Sequence, residues 1–84
     1  MQITIYSTAT CPYCKILKDY LKEKGVSFVE KNIDSDEKAK EEMSNLSGGF
    51  FGVPFTLISF NDGRKETVIG FDKGKINSIL NLQG

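Results

Sequence analysis

The sequence predicts an α/β fold: a four-stranded mixed sheet with three helices, in the order strand, helix, strand, helix, strand, strand, helix. Three observations carry this. A short strand-like alternation at the N-terminus runs straight into an amphipathic helical stripe. Gly25 separates that stripe from a second apolar run. Further on, two β-rich runs flank the turn signal Asn61-Asp62-Gly63. A right-handed crossover makes the first two strands parallel, and the hairpin adds an antiparallel pair to the same sheet. At 84 residues and 39% apolar content, the chain is expected to form one domain over residues 1–84 with a small two-layer core.

Each element has a local reason. Ile3 and Ile5 alternate with Gln2, Thr4 and Tyr6, so the first strand is expected from Gln2 to Ser7 with one face more buried than the other. Tyr13, Ile16, Leu17, Tyr20 and Leu21 fall on one helical stripe, opposite Lys15, Lys18, Lys22 and Glu23. Gly25 ends that helix, and Val26 to Ile33 reads as the second strand. Asp34 followed by Glu37 resembles a capping box for a more polar helix carrying Ala39, Met43 and Leu46. The segment Ser47 to Gly52 has loop composition but carries the aromatics Phe50 and Phe51. Val53-Pro54 opens a strand over Phe55 to Phe60, a first position where proline is tolerated. Lys65 to Ile69 returns as the hairpin partner, and Asp72 caps a last helix with Ile76, Ile79 and Leu80 on one face.

Composition excludes several function classes. Eleven basic residues balance eleven acidic ones, and no segment gathers enough positive charge for a nucleic acid backbone or an anionic lipid surface. No apolar run approaches the roughly 20 residues that span a bilayer, and the N-terminus lacks a signal pattern, so no membrane partner and a cytoplasmic location are expected. The chain contains no histidine, which removes a Cys-His nucleophile pair and a His-ligated metal. With no second cysteine pair, no metal is expected.

The two cysteines stand at Cys11 and Cys14 and would close only a very small loop, which suits reversible redox chemistry better than a structural staple. With Cys11 as N-cap, Pro12 takes the first helical position, where its missing N–H costs nothing. The Cys11 sulfur then faces unpaired backbone N–H groups and the positive end of the helix dipole, and both favour thiolate. Lowering its pKa from about 8.5 to about 6 raises the thiolate fraction at neutral pH about thirtyfold. Nucleophilicity falls about tenfold over the same range, at a Brønsted slope near 0.45. The larger gain is as a leaving group, which favours turnover of a mixed disulfide.

Cys11-Pro12-Tyr13-Cys14 after a strand, Val53-Pro54 before a later strand and Ile69-Gly70-Phe71-Asp72 before the last helix together resemble glutaredoxins over nearly the whole chain. The resemblance implies a thioredoxin-like fold, with Cys11 as nucleophile and Cys14 as resolving cysteine. It implies that Val53 and Pro54 form a cis-proline site whose backbone pairs with the substrate. It also implies that Gly70, Phe71 and Asp72 hold the γ-glutamyl end of glutathione, with Tyr13 flanking the ligand. Glutathione would then be the co-substrate, disulfide-containing or glutathionylated proteins the partners, and the working form a monomer.

Thr8 stands where many members carry Lys, Gly52 where many carry Thr before Val-Pro, and Ile69-Gly70 where many carry Gly-Gly. A related branch, the glutaredoxin-like electron donors to ribonucleotide reductase recycled by thioredoxin reductase, is suggested by Gly70-Phe71. Asp72 points back to glutathione. Two readings of another class remain: an iron-sulfur carrier dimer bridged by glutathione, which Pro12 disfavours by stiffening the turn, and a redox-regulated binding module using Phe50 and Phe51.

Overall fold

The computed structural model describes residues 1–49 and 52–81; Phe50 and Phe51, and with them the aromatic loop platform, lie outside the described residues, as do 82–84. The elements are β1 (Gln2–Ser7), α1 (Pro12–Glu23), β2 (Val29–Asn32), α2 (Glu37–Ser47), β3 (Phe55–Ser59), β4 (Lys65–Ile69) and α3 (Lys73–Leu80). The strands form one sheet in the order β2-β1-β3-β4. β1 pairs parallel with β2, antiparallel with β3, and β3 antiparallel with β4. The expected order and strand directions are therefore those observed.

Because β1 is an inner strand, its surroundings differ from the expected one-sided burial. Every residue from Ile3 to Ser7 is buried. Ile3 and Ile5 face one layer, while Thr4 and Tyr6 face the other. On the first side Leu17 and Leu21 of α1 and Ile76 of α3 close over Ile3, Ile5, Ile58 and Val68. On the second, Ala39 and Met43 of α2 pack with Tyr6, Ile33 and Phe55. Thus α1 and α3 share a face and α2 covers the opposite one, which the sequence pattern had left open. Lys31 on β2 ties α2 to the sheet by donating to Glu42 at 2.7 Å, and Tyr6 donates its hydroxyl to the same carboxylate oxygen at 3.5 Å. Burial, then the Glu42 charge, push the Tyr6 phenol above its ordinary pKa.

Three local expectations are corrected. The buried stripe of α1 is Cys14, Leu17 and Leu21, whereas Tyr13 and Ile16 are 61% and 46% exposed. The side chain that covers the core at the start of α1 is the second cysteine, a small hydrophobe in its own right. The second strand is shorter than Val26 to Ile33. Val26 spends its N–H on the Leu21 carbonyl (2.9 Å) while Gly25, at φ +72°, bonds Lys22 (3.0 Å). This double bond pattern terminates α1, and Val26 then packs beside the core as the apolar partner that such helix ends recruit. Val26 and Phe28 are apolar because they pack against the core, not because they pair in a ladder. Finally, α2 is capped by Asp36, whose carboxylate accepts from the Ala39 N–H at 3.1 Å. Asp34 is held in a turn instead, its N–H donated to Asn32 Oδ1 at 2.8 Å.

The burial contrast along α1 gives a direct check. Leu17→Ala should lower unfolding free energy by about 2–5 kcal/mol, and Ile16→Ala by no more than about 0.5 kcal/mol, in urea titrations of the oxidised protein.

Candidate active site

The site forms where β1 ends and α1 begins. Cys11 is the N-cap residue, with extended backbone (φ −95°, ψ 105°), and Pro12 occupies the first helical position. The Cys14 N–H donates to Cys11 Sγ at 3.1 Å. One of the orphan donors of the helix start is thereby aimed at sulfur, and no acidic residue in the first turn opposes negative charge there. Cys11 and Cys14 are joined as a disulfide, with their Cα atoms 5.3 Å apart. The two sulfurs sit in different media: Cys11 is half-buried at the surface, and Cys14 is 1% exposed. An attacking thiol can therefore reach Cys11, while Cys14 waits beneath it.

Of the remaining predicted residues, Val53, Pro54, Gly70, Phe71 and Asp72 flank the two ends of the β3–β4 hairpin, and Tyr13 stands in the first turn of α1. The Val53-Pro54 peptide bond is cis, Pro54 is buried and Val53 half-buried. Gly70 donates its N–H to the Pro54 carbonyl at 2.7 Å, so the proline and the glycine are tied directly. Gly70 has φ +74°, a left-handed conformation that strains other residues. Asp72 caps α3: its carboxylate accepts from the Lys75 N–H at 3.1 Å. The capping role of Asp72 is thus direct. Tyr13 projects from the first turn of α1 into solvent and belongs to no core stripe.

Two features escaped the sequence reading. One is Tyr20, which clamps α1 to the start of α3. Its hydroxyl donates to Asn77 Oδ1, its ring meets Phe71 edge-on with centroids 5.7 Å apart, and the Lys73 ammonium lies 5.3 Å above it. The segment Gly70 to Asp72 is therefore held against the helix that bears the cysteines. Apolar spacing marks Tyr20 as a core residue but says nothing of its polar tip.

The other feature is a cleft of about 600 Å³ on the β2 side of Cys11. It is lined by the loop Thr8 to Thr10, both cysteines, Lys15, Lys18, Glu30 and Asn32. None of Tyr13, Val53, Pro54, Gly70, Phe71 or Asp72 lines it. Glu30 is its organising anion: it accepts from Lys18 Nζ and from the buried Ser7 hydroxyl, each at 2.7 Å. The Lys18 bond first, and then the Ser7 bond, hold the Glu30 carboxyl below its ordinary value of 4.5. Residues distant in sequence make this trio, so no local motif announces it.

A β-α-β unit, a second helix, an antiparallel hairpin and a closing helix, with a disulfide at the start of α1 and a cis-proline just before β3, define a protein of thioredoxin-like fold. The whole-chain comparisons agree. A mutant of the thioredoxin-like protein BC3987 superposes with a TM-score of 0.83 at 29% identity, over 98% of this chain and 97% of that one. The glutaredoxin-like protein NrdH-redoxin from Escherichia coli superposes with a TM-score of 0.76 at 26% identity, over 94% and 95%. The glutaredoxin family model matches residues 3–59. An uncharacterized glutaredoxin-like 8.6 kDa protein in the rubredoxin operon of Clostridium pasteurianum is 44% identical over 78 residues, covering 93% of this chain and 96% of that protein. The chain belongs to the glutaredoxin family.

The Glu30 trio predicts a pH dependence. A carboxyl held below its ordinary value in the folded state adds stability above pH 4.5, which is lost as pH falls through the lowered value. Glu30→Gln should therefore cost up to about 1 kcal/mol near neutral pH, the modest size reflecting solvent screening of a partly exposed pair. Urea midpoints of mutant and parent should converge as the pH is taken below that range.

Proposed function

We propose that the protein is a glutathione-dependent thiol-disulfide oxidoreductase that reduces glutathione mixed disulfides and protein disulfides. The observation that carries this reading is the Cys11 sulfur: accessible, seated at the N-cap of α1 and accepting the Cys14 N–H. In the reduced enzyme that donor and the helix dipole favour the Cys11 thiolate. Cys11 attacks the glutathione sulfur of a mixed disulfide, forming its own bond to glutathione and releasing the protein thiolate. A second glutathione thiolate then attacks the bound glutathione sulfur, which frees Cys11 and yields oxidised glutathione. Alternatively Cys14 attacks Cys11, expelling the leaving thiolate and closing the disulfide.

In this reading Val53 offers its backbone to the extended substrate beside cis-Pro54. Gly70 and Phe71 supply the floor of the glutathione site. Asp72 takes the γ-glutamyl ammonium with Oδ2, the carboxylate oxygen not engaged in capping, while the α3 N-terminus attracts the carboxylate. Tyr13, exposed beside Cys11, flanks the ligand. The chain works as a monomer in the cytoplasm, where a reducing thiol pool restores it.

A second reading keeps the chemistry and changes the donor to thioredoxin reductase. It is favoured by the likeness to NrdH-redoxin, a glutaredoxin-like protein described as having a thioredoxin-like activity profile, and by Thr8, which supplies no cation for a glycyl carboxylate. Reduction of the disulfide by glutathione with glutathione reductase, run in parallel with thioredoxin reductase, separates the two. Rapid reduction by the glutathione system is expected, and reduction by thioredoxin reductase alone would transfer the assignment to the second reading.

Two variants test the residue roles. Cys11→Ser should abolish turnover of a glutathione mixed disulfide while Cys14→Ser retains much of it; equal losses would indicate an obligatory dithiol route. Asp72→Asn keeps an N-cap of nearly equal quality, so stability should change by less than about 0.5 kcal/mol. Removing the charge should nonetheless raise the KM for glutathione roughly five- to tenfold. An unchanged KM would confine Asp72 to capping.

A further inference from the structure

One polar group in the core has no partner. Thr56, 2% exposed, lies on β3 opposite Ile5 of β1 and Val68 of β4, on the face covered by α1 and α3, and its hydroxyl Oγ1 makes no hydrogen bond among the described residues. Its neighbours on that face are the apolar Ile5, Ile58 and Val68. A buried hydroxyl without a partner is destabilising, and valine would fill the same space without that cost. A fold that keeps such a group calls for a state in which the group is used.

Its position identifies that state. β1 and β2 are parallel neighbours joined by α1, so α1 runs back along the sheet, with its first turn over the C-terminal end of β1. Helix residues rise about 1.5 Å each and strand residues about 3.3 Å, so the stripe Cys14, Leu17, Leu21 runs beside the row Ser7, Ile5, Ile3. Thr56 belongs to the Ile5 row, below the N-terminal half of α1. Two hydroxyls lie at this end of the face, Ser7 and Thr56. Ser7 already donates its proton to Glu30. Thr56 has an uncommitted donor on the same face, one residue pair inward from Ser7 along the sheet.

We propose that Thr56 tunes the redox poise of the pair by donating its hydroxyl to the Cys14 sulfur once the disulfide is opened. The inference rests on the proposed redox cycling of Cys11 and Cys14. A small dithiol supplies two electrons and two protons, leaves as its own disulfide, and breaks the Cys11–Cys14 bond to give two thiols, of which Cys11 ionises readily. The two sulfurs then separate from bonding to van der Waals distance. Cys11 is held at the surface by the N-cap, so the Cys14 sulfur moves toward the interior, where Thr56 can meet it as thiol or thiolate. The hydroxyl is unsatisfied in the disulfide form and satisfied in the dithiol form. Both effects act in one direction: they favour reduction.

The test equilibrates parent, Thr56→Val and Thr56→Ser proteins with graded ratios of reduced and oxidised dithiothreitol, and reads the disulfide fraction by alkylation and mass. The buffer contains no glutathione, so the outcome does not depend on which thiol is the cellular donor. Thr56→Val should shift the equilibrium about tenfold toward the disulfide, a potential about 30 mV more negative. Thr56→Ser, which retains the donor, should stay within about twofold of the parent. Equal potentials for parent and Thr56→Val, or equal shifts in both variants, would overturn the proposal.

A second readout uses the Cys11→Ser protein, in which ultraviolet thiolate absorbance reports Cys14 alone. There, Thr56→Val should raise the pH at which Cys14 ionises, an effect that loss of packing would not produce; an unmoved titration would also overturn the assignment. A parent disulfide that does not exchange with the dithiol at all would overturn the redox reading and this inference with it.

Discussion

The donation of the Cys14 N–H to Cys11 Sγ is the interaction on which the rest of the site depends. It exists because a helix start leaves N–H groups without intrahelical partners, and because Pro12 begins the helix immediately after Cys11. The same geometry places the second cysteine one turn along, on the buried stripe of α1. One backbone contact thereby sets three properties at once. It favours charge on Cys11, brings the cysteines within bonding reach, and sends one sulfur to the surface and the other to the core. Much of the remaining structure keeps α1 in the position where this division holds.

That anchoring comes from both layers. Leu17 and Leu21 seat α1 on the sheet beside Ile76 of α3. Tyr20 then ties the two helices together through Asn77, Phe71 and Lys73. The Gly70 N–H bonded to the Pro54 carbonyl joins the end of β4 to the proline that precedes β3. These contacts join α1, α3 and the hairpin through backbone and aromatic surface. Beside Cys11, toward β2, lies the cleft ordered by Glu30, Lys18 and Ser7. Cys11 thus stands at the edge of a polar cleft lined by Lys15 and Lys18.

Below these surfaces the core is largely apolar, with the buried hydroxyls of Thr4, Ser7 and Thr56 as exceptions among the described residues. Ser7, Thr56 and Glu30 lie on the α1 side of β1, β3 and β2. Their chemistry is uneven: Ser7 and Lys18 satisfy Glu30, and Thr56 is left with none. Buried polar groups are costly in proportion to how incompletely they are paired. The unpaired Thr56 hydroxyl is the group in this core that a change of state could satisfy.

The local sequence determined the element order, the N-cap role of Cys11 and the capping of α3 by Asp72, since each follows from spacing, turn chemistry and the orphan donors of a helix end. It also carried the family resemblance, whose cis-proline expectation matches the observed Val53-Pro54 bond. Its errors came where one pattern has two causes. Apolar Val26 and Phe28 mark burial, and only the chain path shows that they pack beside the core instead of extending β2. Asp34 and Asp36 are equivalent caps by composition, and the turn held by Asn32 selects the second. Only the tertiary structure placed α1 and α3 on one face and α2 on the other, built Tyr20 into a clamp, assembled Ser7, Lys18 and Glu30 beside the cysteines and left the Thr56 hydroxyl unpaired in the core. These facts depend on which residues meet across the sheet and between layers, and periodicity along a chain carries no record of its distant neighbours.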